Sequence, residues 1–470
     1  MELHGTIGPV RLFDTPGINE EGELGILKRR KAMDSVGQAD VALIVVDPFA
    51  GTAAIQSIVQ VLRTVRDRQE RNAQAHTADG TSPSLSSIQT APPQPVMIYN
   101  LRAKAVQRYA QQGKSVALLM EDLEQQVIQQ LPAGMTLPPT LAVDLQQPAQ
   151  RDRVIHFLET HAVPRPDRSV QLLPDALAVD AHNHGTTSSS SSCSPNVVVF
   201  LNIPMDQQTP AARLLRPQAM TQEALLRHYV STYCYRMDLT RGRSDDPVVV
   251  QTEKDRFLRA LDPLLTTGDL ALLITDSQAM DLVAPWTLDE QGNEIVPITT
   301  FSITMIRYLS GGRLEYFANG LRQLDRMVQG TAVPKNPNGQ WNVLVSEACN
   351  HTRLNLEKEC ADIGTVQIPQ HLHRVLGADK VRVEFAFGKH VLFDPSEYDL
   401  VIHCGGCMLT PQQMDARLAD LVATGVPATN YGLLLSRIQS PHALARVLKP
   451  WGIDYQWDDA LELSDHDLVG

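Results

Sequence analysis

The chain has 470 residues, 43% of them hydrophobic and 20% charged, a composition that suits two to four globular domains with their own cores. A formal net charge of −12 argues against nonspecific binding to nucleic acid or to an acidic membrane, and no apolar run reaches the about 18 residues needed to cross a bilayer. Six cysteines are too few for a disulfide framework, so a reducing compartment is expected; the first residues, Met1-Glu2-Leu3-His4-Gly5, have no targeting-peptide character.

In chain order, Val10-Arg11-Leu12-Phe13 reads as a short strand running into Asp14-Thr15-Pro16-Gly17. A D-x-P-G after a strand is where P-loop GTPases place a water-mediated magnesium contact and a mobile glycine. The competing reading is a plain turn set by Pro16. Residues 20–38 follow as a charged amphipathic helix and 40–47 as a buried parallel strand, the alternation of a doubly wound sheet. A phosphate-cradling G-x-x-x-x-G-K-[ST] loop is expected upstream of the D-x-P-G, and no stretch of the chain supplies it. Pro95-Val96-Met97-Ile98-Tyr99-Asn100 resembles the strand before a guanine-reading N-K-x-D motif. The sequence continues Leu101-Arg102-Ala103, keeping Asn100 and losing the Lys and the Asp. Residues 1–165 therefore read as a truncated GTPase-like domain, with Asp14, Thr15, Pro16, Gly17 and Asn100 as the remaining nucleotide-facing positions. GTP and magnesium are expected to bind weakly at best.

Residues 77–94 are rich in Ser, Thr, Pro and Gly and read as a disordered insertion. Residues 164–194 read as an interdomain linker (166–195 in the domain scheme) in which His182, His184 and Cys193 lie in or beside a serine-rich tract and are taken as solvated. Asn196-Val197-Val198-Val199-Phe200-Leu201 opens a second α/β unit. There, 222–235 reads as a helix with Cys234 as a core thiol, 248–250 as strand-like, 254–265 as a helix and 271–278 as a strand. From residue 294 the alternation resumes, with helices to 308 and over 314–328 and strands at 341–345 and 398–402. Helices at 411–423 and 438–448 then flank a strand start at 428–431.

Both late strands end in cysteine loops. Ser346-Glu347-Ala348-Cys349 follows the first, and His403-Cys404-Gly405-Gly406-Cys407 follows the second. The C-x-x-C pair lets two thiolates converge from one turn, the glycines let the backbone wrap closely, and Cys349 adds a third thiolate. Ligands of open α/β sheets bind beyond the carboxyl ends of strands, so both loops can face one crevice. Three thiolates with one open position suit an iron–sulfur cluster with an exchangeable iron better than a closed zinc site.

The segment Ser346-Glu347-Ala348-Cys349-Asn350-His351, then Asp362-Ile363-Gly364 with Ile368-Pro369, then Tyr398 through Met408 across HCGGC, resembles the HydF family. Gly425-Val426-Pro427 with Thr429-Asn430-Tyr431-Gly432 extends the likeness. That family is the maturation GTPase and scaffold of [FeFe]-hydrogenase. The resemblance implies three α/β domains with mainly parallel sheets: the truncated GTPase-like domain at 1–165, a dimerisation domain at 196–293 and a cluster-binding domain at 294–470. It implies a [4Fe–4S] cluster on Cys349, Cys404 and Cys407 with His351 as the fourth contact or as a hydrogen-bonding neighbour. His403 is then expected to orient the loop, and Cys360 to stand outside the ligand set. By the same resemblance a transient diiron unit is carried and delivered to apo-[FeFe]-hydrogenase, its chemistry being done by the radical-SAM maturases HydE and HydG. A homodimer is implied, with no nucleic-acid or membrane partner, in a plastid stroma for an algal protein and otherwise in the cytoplasm. The rival readings are a GTP-binding switch protein with a structural zinc site and a degraded copy.

Overall fold

The computed structural model describes residues 12–15, 18, 22–37, 39–77, 94–132, 134–161, 172–177, 197–204, 214–348, 363–388 and 395–455. It divides into two compact units. The first comprises Met1–Arg168 with Gln412–Ala423, and the second Ser169–Pro411 with Thr424–Gly470.

The first unit holds three parallel strands, β1 (Val41–Val46), β2 (Gln94–Asn100) and β3 (Thr140–Val143), side by side in that order. Helices α1 (Gly22–Gly37), α2 (Thr52–Thr77), α3 (Ala103–Gln111), α4 (Val116–Gln130) and α5 (Arg151–His161) accompany them. The run Val96-Met97-Ile98-Tyr99 is buried throughout, as a central strand covered on both faces must be. Its alternation divides the core. Met97 and Tyr99 join Ile44, Val46, Ile58, Leu62, Leu123 and Val127, while Val96 and Ile98 join Val143 and Phe157.

The second unit holds two four-stranded sheets, both parallel throughout. One runs β5 (Ser231–Tyr235), β4 (Val198–Asn202), β6 (Leu270–Thr275), β7 (Ile298–Thr300). The other runs β11 (Ala428–Asn430), β10 (Leu400–His403), β8 (Trp341–Glu347), β9 (Val381–Phe387). Helices α6 (Arg216–Arg227), α7 (Leu239–Gly242), α8 (Pro247–Thr267), α9 (Met280–Trp286), α10 (Phe301–Leu309), α11 (Leu314–Val328), α12 (Ile368–Leu376), α13 (Pro411–Ala423), α14 (Tyr431–Gln439) and α15 (Pro441–Leu448) connect and follow the strands, Gln412–Ala423 of α13 grouping with the first unit. The α/β class with mainly parallel sheets, expected from the sequence, is what the chain adopts. In the β8-containing sheet the chain steps from β8 outward to β9 and then back across to β10 on the other side, so the strand order reverses between β8 and β10. Such a reversal leaves a crevice at the carboxyl ends, because the flanking connections depart in opposite directions.

Several local expectations are corrected. Leu12 and Phe13 are exposed and form no strand. The helix expected over 222–235 stops at Arg227, and Cys234 lies exposed on β5 rather than in a core; Tyr229 at φ 58° makes the left-handed break between the two elements. Val248, Val249 and Val250 are helical. Asp246 caps α8 by accepting the Val248 N–H at 2.9 Å, and Pro247 occupies the first turn, where its fixed φ favours a helix start. Within the tract read as linker, Leu173 and Leu177 are buried in the core with Val199, Leu201 and Leu225. The insertion at 77–94 falls almost wholly outside the described residues.

Candidate metal centre

β8 and β10 pair in parallel with Ser346 opposite His403, so both strands end level with one another. The backbone then crosses between them: Cys404 N–H donates to Ser346 O at 3.0 Å. Cys404 is buried, and its Sγ accepts the N–H of Ala348 at 3.2 Å and that of Gly406 at 3.4 Å. Backbone amides aimed at sulfur favour the thiolate over the thiol, because the anion is the stronger acceptor and desolvation alone would penalise it. Cys407 is half-buried at the far end of the same turn. The turn depends on Gly406, whose φ of 69° lies in the left-handed region, and is closed by Leu409 N–H to Gly406 O at 2.8 Å.

The loop rests on two helix starts. Thr300 caps α10 through Ile303 N–H at 3.2 Å, and Asn430 caps α14 by accepting from Gly432 and Leu433. Asn430 Nδ2 also donates to Ser302 Oγ at 3.1 Å, and a Cβ on Gly405 would stand 3.2 Å from that hydroxyl oxygen. The N-termini of α10 and α14 therefore lie beside the C-x-x-C loop, with their partial positive charge toward it. Behind β8, the buried Glu347 carboxylate accepts from Tyr431 Oη at 3.2 Å. Gly364 fits against the pair where a Cβ would come within 2.4 Å of both oxygens. His403 is buried, with Nδ1 2.6 Å from the Cys404 carbonyl oxygen, a contact that ties the ring to the loop backbone.

Of the four metal positions read from the sequence, the structure places Cys404 and Cys407; Cys349 and His351 lie outside the described residues, as does Cys360. Ala348, which precedes Cys349, is the residue whose amide meets Cys404 Sγ. The described donors are two, a buried, amide-bonded sulfur and a second cysteine one turn on, whose chemistry suits thiolate ligation of iron; among the described residues no group of three metal-ligating side chains forms. Sequence reading does not find Ser302. It takes residues 206–217 as resembling the family's loop where an acid and an Arg flank a helix entry, without linking that loop to the cysteines, and Arg216 Nη1 donates to the carbonyls of Cys407 and Leu409 at 2.6 and 3.0 Å. Only the fold brings either residue to the cysteine loop.

Residues 317–450 match the model of the hydrogen maturase F (HydF) tetramerization domain. That stretch of the chain is a HydF domain. The cysteine motif and the GVP…TNYG passage both fall inside it, so the HydF resemblance read from them is borne out here. A HydF domain fits a role in hydrogenase maturation. No curated protein matches the chain.

In the first unit, Asp14 and Thr15 are exposed and outside any helix or strand, and Pro16 and Gly17 lie outside the described residues. Asn100 ends β2, and its Oδ1 accepts the Leu145 N–H at 3.1 Å. Arg102 pairs with Asp47 just past the end of β1, and Asp144 after β3 accepts the Ala103 N–H at 3.2 Å.

Proposed function

We propose that the chain is a scaffold in [FeFe]-hydrogenase maturation, holding a [4Fe–4S] cluster on Cys349, Cys404 and Cys407 with one exchangeable position. The observation that carries this is the pair of amides, Ala348 and Gly406, on the buried Cys404 sulfur at the point where the sheet reverses. In this reading His351 occupies or borders the fourth position. Cys349, Cys404 and Cys407 would hold the cluster, whose exchangeable position would supply a docking point for the cargo, a diiron unit with CO and CN ligands. HydE and HydG build that unit, and this chain passes it to apo-[FeFe]-hydrogenase. Self-association is assigned to residues 317–450 by the name of the matching domain.

The chain's own part is electrostatic and geometric. The Cys404 and Cys407 turn supplies two sulfurs from one backbone bend, the N-termini of α10 and α14 offset their negative charge, and the buried surroundings keep water from the Cys404 sulfur. The first unit contributes little nucleotide affinity, since Asn100 Oδ1 is engaged by Leu145 and position 103 is an alanine.

Anaerobic reconstitution with iron and sulfide tests this. About four irons per chain, with a [4Fe–4S] paramagnetic signal on reduction, is the expected result. Each of Cys349→Ser, Cys404→Ser and Cys407→Ser should lose the cluster, whereas Cys234→Ser should keep it. Stoichiometric zinc without iron uptake would overturn the scaffold reading.

A further inference from the structure

Arg216 stands 191 residues from Cys407 in the chain, at the first turn of α6, and nothing in its sequence neighbourhood points to a metal. Its Nη1 donates to two carbonyl oxygens of the cysteine loop, that of Cys407 at 2.6 Å and that of Leu409 at 3.0 Å. One nitrogen bridging residues 407 and 409 fixes the peptide planes on both sides of Met408. The Cys407 carbonyl shares its Cα with the Cys407 side chain, so its orientation helps set where that sulfur points. The guanidinium stays charged across the whole physiological pH range, so the bridge does not titrate away.

The anchor behind Arg216 is rigid. Pro217 follows it, with its φ fixed by the ring. The Leu215 N–H donates to Gln218 Oε1 at 3.0 Å, and buried Gln218 donates through Nε2 to Asp276 Oδ2 at 3.4 Å, just past the end of β6. The start of α6 is thereby tied to one sheet of the second unit while its arginine holds the loop of the other. The bridge places a permanent positive charge on the backbone of the second cysteine.

We propose that Arg216 is a positioning residue of the cysteine centre: it holds the Cys407 segment in its ligating conformation and stabilises the more negative, reduced state of the metal group bound there. The charge role rests on the cluster reading given above; the hold on the loop does not. Adding an electron makes a thiolate-bound cluster more negative, so a fixed cation and hydrogen bonds on the ligand backbone raise its reduction potential.

The test compares wild type with Arg216→Ala, Arg216→Lys and Arg216→Gln in the full chain, with two measurements. In metal-free protein, at a pH high enough that the thiol is ionised in every variant, the rate at which Cys407 is alkylated by iodoacetamide, read by mass spectrometry, should rise several-fold in Arg216→Ala and Arg216→Gln and less in Arg216→Lys. In reconstituted protein, the midpoint potential from a redox titration followed by paramagnetic resonance should fall in Arg216→Ala and Arg216→Gln and stay nearer the wild-type value in Arg216→Lys, which keeps the charge. Wild-type alkylation rates and potentials in a well-folded Arg216→Ala would overturn the proposal, and equal potentials in the Lys and Gln variants would overturn its charge role. Should Arg216→Ala fail to fold, the Lys and Gln pair decides alone. A wild type that takes up no iron refutes the cluster reading instead, and the alkylation rates still judge the hold on the loop.

Discussion

The carboxyl ends of β1, β2 and β3 and those of β8 and β10 are both places where parallel strands release the chain into loops, and they are finished differently. In the first unit the described strands run in sequence order with no reversal, and the ends are linked through side chains near the surface: Asp47 to Arg102, Asn100 to Leu145, Asp144 to Ala103. In the second unit the strand order reverses between β8 and β10, and the ends are buried: Ser346, Glu347, His403, Thr429 and Asn430 are all shielded from water. Hydrogen bonds in that shielded setting are stronger and costlier to break, so the cysteine loop is held in place before any metal arrives. The difference separates strand ends finished by side chains near the surface from a cysteine loop set in a buried frame.

The strongest way to break this contrast is at the packing beneath the loop. Gly320 of α11 lies so close to β11 that a Cβ would stand 1.9 Å from the Ala428 carbonyl oxygen and 3.0 Å from Thr429 N. Both are backbone atoms and cannot rotate away. Gly320→Ala should therefore cost about 3 kcal/mol through forced separation of helix and strand. Urea unfolding measures it, and a loss under about 1 kcal/mol would show that this packing is looser than its geometry.

A second expectation concerns pH. His371 on α12 is held neutral, its pKa pushed down to about 4 by burial and then by the nearby Arg374 and Arg437 charges. Its Nδ1 finds no partner among the described residues. A histidine whose folded pKa lies below its unfolded one binds more protons when unfolded. Its contribution is therefore fully present above about pH 6.5 and is lost as pH falls toward 4. About 2–3 kcal/mol of stability should disappear over that window, and His371→Gln should flatten the curve. Identical pH profiles for the two proteins would refute the assignment.

Asn430 and Asn100 give the contrast its most direct comparison, the same residue type at the end of a strand in each unit. Asn430 is fully buried and serves two helix amides and Ser302. Asn430→Ala should cost about 2 kcal/mol and speed alkylation of Cys404 and Cys407. Asn100 serves one amide in an exposed bond, and Asn100→Ala should cost about 0.5–1 kcal/mol. Equal losses from the two would erase the distinction between the strand ends.

Much of this was legible in the sequence, and the parts that were not share a cause. The apolar runs Val343-Leu344-Val345 and Leu400-Val401-Ile402 mark buried parallel strands on their own, and the cysteines that follow them fall at strand ends by spacing alone. Arg216 and Ser302 act on the loop from segments 191 and about 100 residues away, so no local pattern could assign them. Val248-Val249-Val250 shows the converse failure: β-branched residues favour a strand locally, but the Asp246 cap and Pro247 decided for a helix. Cys234 was misplaced because the helix end at Arg227 carries neither Gly nor Asn to announce it.

The smallest expected effect is at the Arg102–Asp47 pair. Their side chains are 46% and 38% exposed, so water screens the attraction and ordering the long arginine offsets much of it. Arg102→Ala should change stability by less than about 0.5 kcal/mol, and by less again in high salt. Asp47→Ala should cost more, because Asp47 Oδ1 also accepts the Phe49 N–H at 3.1 Å and that cap is lost with it. Asp47→Asn keeps an oxygen for the cap while removing the charge, and should resemble Arg102→Ala. A double-mutant cycle isolates the pair from the cap. A coupling above about 1 kcal/mol would require the two charges to be shielded from water, which is the property that sets the β8 and β10 ends apart. In that event the first unit's strand ends would also be prearranged, and the contrast with the β8 and β10 ends would fall.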